Sequence, residues 1–366
     1  MDTQKIRVGI LGANPTRGWA GAAHIPALRA LPQFEITAVG TTRQETADET
    51  AKQLGIPLAF ADPHDLVGHP DVDLVTVSVR VPGHYALVKA AVDEGKHVFC
   101  EWPLGIDSDE AVQLLEMARH KGIHHVVGLQ AWGAPVINRV RDLVAQGYVG
   151  QVLSCTLIVS LQGWGPTIDR PSTYLLDRAN GATLLSIIGG HSIDALCFCL
   201  GEFRELSATL ATQRKQSTVI ETGESIEMTA HDQILVNGTL KNGAVVSIHI
   251  RGGMSRANNS SLEINGTKGD LRMTSSGPLQ IAELTLQGAQ GHDAPWADIP
   301  VPESYRWVPA AVPPGPPFNV AQLYSTLAAN IRDGNPPSPG FDAAVIRHRL
   351  LDVIEKASDT GLRQVL

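Results

Sequence analysis

Ile6-Arg7-Val8-Gly9-Ile10-Leu11-Gly12-Ala13-Asn14-Pro15-Thr16-Arg17-Gly18-Trp19-Ala20 opens as a strand, turns at glycine, and runs into a helical stretch through Pro26-Ala27-Leu28. A glycine-rich turn from a buried strand into a helix lets backbone N–H groups and the positive end of the helix dipole hold a pyrophosphate. The usual G-x-G-x-x-G spacing is altered. Gly12 takes the first glycine position, Asn14 stands at the second, and the loop is longer before Gly18. Asn enters left-handed backbone more readily than other residues bearing a side chain, so the turn is expected to persist in altered form. Gly12, Ala13, Asn14, Thr16, Arg17, Gly18 and Trp19 are therefore the first candidates for holding a dinucleotide.

Outward from this turn, residues 6–127 alternate β-branched runs with helical stretches, as a parallel α/β sheet requires. Further strands are expected at Phe34–Gly40, Val72–Val79, His97–Cys100 and His125–Gly128. Helices are expected at Gln44–Leu54, ended by Gly55, and at Tyr85–Glu94, ended by Gly95. Glycine just past a helix end suits the left-handed position there. The end of the second strand bears on cofactor choice, because an NAD site usually places a carboxylate there for the ribose diol. Here it reads Ala38-Val39-Gly40-Thr41-Thr42-Arg43, with hydroxyls and an arginine but no acid. Thr42 and Arg43 are thus expected to favour NADP over NAD, Arg43 pairing with the 2′-phosphate.

After about residue 150 the pattern changes to longer, partly alternating strands at 152–161, 206–213, 234–240, 244–251, 261–264 and 270–273. Lys241-Asn242-Gly243 and Asn265-Gly266-Thr267-Lys268-Gly269 carry hairpin chemistry between them. Helices are expected near 181–200, 318–332 and 341–358, with Pro309–Pro317 as a stiff extended connection. The expected fold is therefore α/β. It comprises an N-terminal doubly wound Rossmann sheet (1–130), a C-terminal α+β domain with an open, mainly antiparallel sheet (131–340), and a closing helix and tail (341–366).

Composition narrows the class. The 366 residues carry 29 Lys+Arg against 37 Asp+Glu, a net charge of −8. That balance argues against nucleic-acid binding, which needs a basic surface to neutralise phosphates. No apolar run reaches membrane-spanning length, and Met1–Lys5 has no signal-peptide profile. Cys100, Cys155, Cys197 and Cys199 lie in apolar stretches without metal-ligand spacing and read as buried thiols of a reducing, cytoplasmic compartment. His120, His124 and His125 read as structural, and no metal site is expected.

Several landmarks then fall in order: Ser78-Val79-Arg80-Val81-Pro82-Gly83-His84, Gly95-Lys96-His97-Val98-Phe99-Cys100-Glu101-Trp102-Pro103-Leu104, and Gly189-Gly190-His191-Ser192-Ile193-Asp194. Over essentially the whole chain this resembles the glucose–fructose oxidoreductase, inositol dehydrogenase and MocA family. The loop at 12–28, Glu101-Trp102-Pro103, Gly128-Leu129-Gln130 and Leu240-Lys241-Asn242-Gly243 resemble the subgroup containing the yeast galactose-pathway repressor. The family resemblance implies a Rossmann domain joined to an open-faced domain, and NAD(P)-dependent chemistry on sugars and cyclitols. It places Ser78, Val79, His84, Glu101, Trp102 and Gln130 in the cofactor shell, and Trp102 and Tyr174 at the substrate; Asp194, three residues beyond His191 on the same helical face, is expected to orient that ring or to bind substrate. The family lysine is replaced by Trp102, and the aspartate four residues before the motif histidine by Ile187.

Oxidation of an alcohol by hydride transfer needs a group to take the hydroxyl proton. Trp and Ile cannot, which leaves His191 as the acid/base candidate. The leading expectation is an NADP- or NAD-dependent oxidoreductase acting on a small polyol, sugar derivative or carbonyl compound, as a homodimer or homotetramer. A non-catalytic, nucleotide-responsive regulatory protein and a redox-neutral lyase or hydrolase that retains its cofactor are the other open readings.

Overall fold

The structure is a computed structural model describing residues 5–256, 259–291 and 293–366; Met1–Gln4, part of the stretch read as lacking a leader, lie outside the described residues. Strands β1 (Ile6–Leu11), β2 (Phe34–Gly40), β3 (Leu58–Phe60), β4 (Leu74–Val77), β5 (His97–Cys100) and β6 (His125–Val127) alternate with helices. These are a π turn at Ala20–His24 continuing as α1 (Ile25–Ala30), then α2 (Gln44–Leu54), α3 (Pro63–Gly68), α4 (His84–Asp93) and α5 (Ser108–Lys121).

All six strands pair in parallel, in the order β3-β2-β1-β4-β5-β6. The order reverses between β1 and β4, and ligands of such sheets lie outside the strand ends at that reversal. Val8, Ile10, Val75, Val77, Val98 and Phe99 have no exposed surface, which is why these strands are apolar on both faces. Gly55 ends α2 in the left-handed conformation, as its position in the sequence implies. β3 was not anticipated: three half-buried residues carry too little periodicity.

The chain continues through α6 (Pro135–Ala145), β7 (Val152–Leu161), β8 (Thr167–Ile168), α7 (Gly190–Leu200), β9 (Phe203–Ala211), β10 (Gln216–Val219) and β11 (Ser225–Glu227). Next come β12 (Gln233–Leu240), β13 (Val245–Gly252), β14 (Ser260–Gly266), β15 (Gly269–Ser275), β16 (Thr285–Gln290) and β17 (Ala297–Asp298). It ends with α8 (Pro316–Asp333), α9 (Phe341–Thr360) and β18 (Gln364–Val365). Nine strands form one sheet, β17-β16-β15-β14-β7-β13-β12-β9-β18, in which β7 and β13 pair in parallel and the other neighbours are antiparallel.

One face of this sheet is core: Ile234, Val236, Val246, Ile248 and Ile250 are at most 2% exposed. Across the other face a registered row reads Thr209, Leu235, His249, Ile158, Ser261. Its apolar members stand among polar ones, so this face is mixed.

The chain divides into two compact units, Met1–Gly133 with Arg306–Ile346, and Ala134–Tyr305 with Arg347–Leu366. The division departs from the expected 131–340 and 341–366 boundaries. Segment 306–346 returns to the first unit because one face of α8 completes that unit's core. Val320, Leu323, Tyr324 and Leu327 join Val8, Ile10, Leu28 and Phe99 in one buried cluster.

Candidate functional site

A pocket of about 510 Å³ opens at the carboxyl ends of β1 to β4. Leu11, Gly12, Ala13, Asn14 and Arg17 line it from the first turn. Gly40, Thr41, Thr42 and Arg43 line it from the end of β2, with Thr46 and Thr50 of α2. Ala61, Pro63, Val79, Arg80 and Leu87 close the remainder. The size suits part of a nucleotide.

The first turn is built for close approach. Gly12 has φ +90°, and a Cβ there would sit 2.6 Å from the Ser78 carbonyl oxygen. Its N–H donates to the Gly40 carbonyl at 3.0 Å, tying the ends of β1 and β2 together. Asn14 does something a glycine at its position could not. Its Oδ1 accepts from the Thr16 N–H at 3.0 Å, the Arg17 N–H at 3.1 Å and the Thr16 hydroxyl at 3.1 Å. The lengthened loop is thus folded by the Asn14 side chain, which occupies two amides that a shorter loop would offer to phosphate. Gly21 supplies the tight packing usually met by the motif's last glycine, since a Cβ there would meet the Asn14 carbonyl oxygen at 2.6 Å.

At the end of β2, the Thr41 hydroxyl is engaged with Thr46 Oγ1 at 2.7 Å and the Arg43 carbonyl at 3.0 Å, which secures the start of α2. Thr42 and Arg43 are exposed on the pocket wall. Among the described residues no hydrogen bond or ion pair engages the Arg17 or Arg43 guanidinium, and no Asp or Glu lines the pocket. This donor set fits an anionic nucleotide: a glycine cradle, hydroxyls, and arginines with no competing carboxylate.

Of the residues singled out in the sequence, Gly12, Ala13, Asn14, Arg17, Thr42, Arg43 and Val79 are brought together on the lining of this one pocket. Thr16 is held by Asn14 and is not among the residues lining the pocket, Gly18 has φ +80° with nothing near it, and Trp19 packs against the core. Sequence reasoning missed Arg80, two residues beyond Ser78, although the end of β4 was in view. Thr46, Thr50, Ala61 and Leu87 come from elements that only the fold brings to the pocket.

Beyond β5 lies a second polar group in the same unit. Glu101 is 9% exposed. Its Oε2 accepts from Gln130 Nε2 at 2.9 Å, and its Oε1 lies 2.9 Å from His24 Nε2. His24 Nδ1 is 2.9 Å from the Tyr324 hydroxyl, which is 2.8 Å from Thr76 Oγ1. His24, Tyr324 and Thr76 have no exposed surface. Burial pushes the Tyr324 phenol well above its ordinary range. A Cβ on Gly128 would strike the Glu101 carboxylate at 2.6 Å, so glycine there makes room for it.

Trp102 is 4% exposed. His84 is buried with Nδ1 2.7 Å from the Pro103 carbonyl and Nε2 3.0 Å from the Val79 carbonyl. Burial lowers its pKa, and a neutral imidazole donates to one of those two oxygens. His84 braces the end of β4 against the Glu101–Pro103 turn, and Gln130 holds Glu101; Ser78 donates its N–H to the Leu11 carbonyl.

In the second unit, His191 and Asp194 lie on α7, both buried. Asp194 Oδ1 faces Arg347 Nε at 3.3 Å, and Arg347 also donates to Glu202 Oε1 at 2.9 Å. The Asp194 carboxylate, expected at the substrate, is thus committed to a buried ion pair. Tyr174 lies half-buried on a 3-10 turn at Arg170–Leu176, its carbonyl accepting from Asn180 Nδ2 at 2.8 Å. Nearby in sequence, Trp164 has φ +48°, a strained value for a bulky residue, and its indole N–H donates to the Leu175 carbonyl at 2.9 Å. Among the described residues no cluster of His, Cys, Asp and Glu could hold a metal ion. No helix among them is long and apolar enough to cross a membrane.

Residues 6–129 match the oxidoreductase family with an NAD-binding Rossmann fold, GFO/IDH/MocA. Residues 135–275 match the Gal80p C-terminal domain family. The galactose/lactose metabolism regulatory protein GAL80 of Saccharomyces cerevisiae is 30% identical over 318 residues, covering 80% of this chain and 73% of that protein. A levoglucosan dehydrogenase of Pseudarthrobacter phenanthrenivorans is 26% identical over 290 residues, 73% of each chain. The crystal structure of a super-repressor mutant of Gal80p from Saccharomyces cerevisiae superposes with a TM-score of 0.88 at 25% identity, covering 99% of this chain and 97% of that one.

Proposed function

The chain belongs to the GFO/IDH/MocA oxidoreductase family, in its form with a Gal80p-like C-terminal domain, and from that premise we propose that it is an NADP-dependent oxidoreductase acting on a small polyol, sugar derivative or carbonyl compound. One observation carries the cofactor preference. The pocket at the end of β2 holds Thr42 and the unengaged Arg43 guanidinium and is lined by no carboxylate. A guanidinium pairs with a phosphate through two parallel hydrogen bonds, whereas a carboxylate at this place would repel it.

When bound, the nicotinamide supplies or accepts the hydride. The chain's own residues have three tasks. Gly12 and Ala13 let backbone approach the phosphates, Arg43 and Arg17 neutralise anionic charge, and His191 holds or takes the hydroxyl proton of the substrate. Tyr174 lines the substrate side, and Trp102 shapes the site with a large apolar surface where the family carries lysine.

A second reading, a nucleotide-responsive regulator without turnover, is favoured by those same substitutions. Trp102 and Ile187 stand where the family resemblance places a proton-transfer lysine and aspartate, and the chain is 30% identical to a regulatory protein. Titration with NADPH and NADH, followed by a substrate screen in the same cuvette, separates the two. NADPH binding tighter than NADH, with turnover abolished by His191→Ala, is the expected result. Tighter NADH binding refutes the role given to Thr42 and Arg43. Binding without turnover across polyols, sugars and ketones refutes the dehydrogenase reading and favours the regulator or a redox-neutral enzyme that retains its cofactor.

A further inference from the structure

We infer that His24 and Tyr324 are positioning residues that orient the Glu101 carboxylate toward the nicotinamide half of the dinucleotide; the inference rests on the cofactor reading above. The pocket described lies mainly beside the ends of β1, β2 and β3 and takes the adenosine end. The remaining half of a dinucleotide bound at the strand-order reversal extends past β4 toward β5. Glu101 follows β5 directly, so it stands on that side.

Thr76, Tyr324 and His24 form a hydrogen-bonded chain that comes up against the Glu101 carboxylate. His24 Nε2 lies 2.9 Å from Glu101 Oε1 as an ion-pair contact, with neither atom aligned in a hydrogen bond. His24 Nδ1 shares a hydrogen bond with the Tyr324 hydroxyl at 2.9 Å, and that hydroxyl shares one with Thr76 Oγ1 at 2.8 Å. The raised pKa of the buried phenol keeps Tyr324 a donor throughout the working range. Glu101 Oε2 accepts from Gln130, while Oε1 stands buried against His24 without a hydrogen-bond donor. A carboxylate offers about four acceptor sites, so capacity remains for a ribose hydroxyl.

Core packing does not require this arrangement. Tyr324 and His24 are 300 positions apart and share an interior with Phe99 and Phe34, the Phe99–Tyr324 ring centroids being 4.6 Å apart. Phenylalanine and leucine would fill the same space without needing polar partners, and such replacements of buried polar groups are often neutral or stabilising. The polar atoms are instead arranged in line and end on one carboxylate.

The test compares two ligands on the intact chain by calorimetry: NADPH, and adenosine 2′,5′-bisphosphate, which reaches only the adenosine end. Wild type, Tyr324→Phe, His24→Gln and His24→Leu are titrated, with thermal melts alongside. Tyr324→Phe and His24→Leu should weaken NADPH about tenfold, the scale of one hydrogen bond to a charged group. They should leave the bisphosphate within twofold. His24→Gln, whose amide can donate near the Nε2 position, should recover part of the NADPH affinity. Equal losses for both ligands would reduce the chain to a folding element and overturn the inference, as would unchanged NADPH affinity in Tyr324→Phe. If wild type binds the bisphosphate and NADPH equally, no contact beyond the adenosine end exists for Glu101 to make, and the inference falls while the pocket reading stands. If wild type binds neither, the cofactor reading falls and this one with it.

Discussion

Arg347 Nε lies 3.3 Å from Asp194 Oδ1, and both side chains are 3% exposed. The guanidinium also reaches Glu202, whose side chain is 35% exposed, so the buried charges of this group are Arg347 and Asp194. Removing Arg347 takes the counter-charge from the buried Asp194 carboxylate. Arg347→Met should therefore cost about 3–5 kcal/mol of unfolding free energy, measured by urea titration. Arg347→Met/Asp194→Leu should cost less than Arg347→Met alone. If Asp194→Asn instead leaves stability unchanged and raises substrate KM, the carboxylate serves the substrate.

Gly12 and Gly18 both have positive φ, but their surroundings differ. A Cβ at Gly12 would be forced to 2.6 Å from a backbone oxygen, whereas at Gly18 nothing lies within 4 Å. Gly18→Ala should cost only the backbone strain, about 1 kcal/mol. Gly12→Ala should destabilise more, and should also abolish NADPH binding. Equal effects in thermal melts would contradict the close approach at Ser78.

Arg43→Ala should weaken NADPH at least tenfold and leave NADH within twofold, because only the former presents a 2′-phosphate to the guanidinium. The loss should shrink as ionic strength rises. Parallel losses for both cofactors, read by fluorescence titration, would assign Arg43 to helix initiation alone.

Acid stability should fall in a defined window. Burial pushes His125 down to about 4 and His97 down to about 4, the latter aided by neighbouring His124. Their ordinary value is about 6.5, so the unfolded chain binds more protons between pH 6.5 and 4. Stability therefore declines as pH drops through that window, and these groups contribute no slope above it. His125 Nδ1 accepts the Phe341 N–H at 2.9 Å. His125→Asn keeps an acceptor but cannot titrate, and should remove on the order of 2 kcal/mol of the acid loss. Urea midpoints from pH 4 to 8 measure it.

Cys100, Cys155, Cys197 and Cys199 are buried, and burial raises every thiol, Cys197 and Cys199 to about 12. A thiol-specific reagent should react with none of the four in the native protein at pH 8 and with all four in denaturant. Rapid reaction of any one in the folded state would show local opening at that strand or helix.

Much of the fold could be read locally. Residues 6–127 announce a parallel sheet because strands buried on both faces must be apolar throughout, and the helices between them end at glycines whose left-handed backbone requires them. The pocket beside the ends of β1 and β2 was legible for the same reason: Gly12, Asn14 and Thr42-Arg43, which line it, lie within a few residues of strand ends, where the sheet rule places ligands. Short β3 and the edge strand β17 escaped, having too few residues to show a period.

By itself, the sequence determined the alternation of strands and helices, the glycine turn, and the absence of an acid at the end of β2, all of which are properties of neighbours along the chain. Only the tertiary structure decided that segment 306–346 returns to the first unit, that Tyr324 and His24 meet beneath Glu101, and that Arg347 claims Asp194. Those partners are separated by 300 and 153 positions. Their pairing follows from which whole helix faces are buried together and which polar atoms must then find one another away from water. No local period encodes that choice.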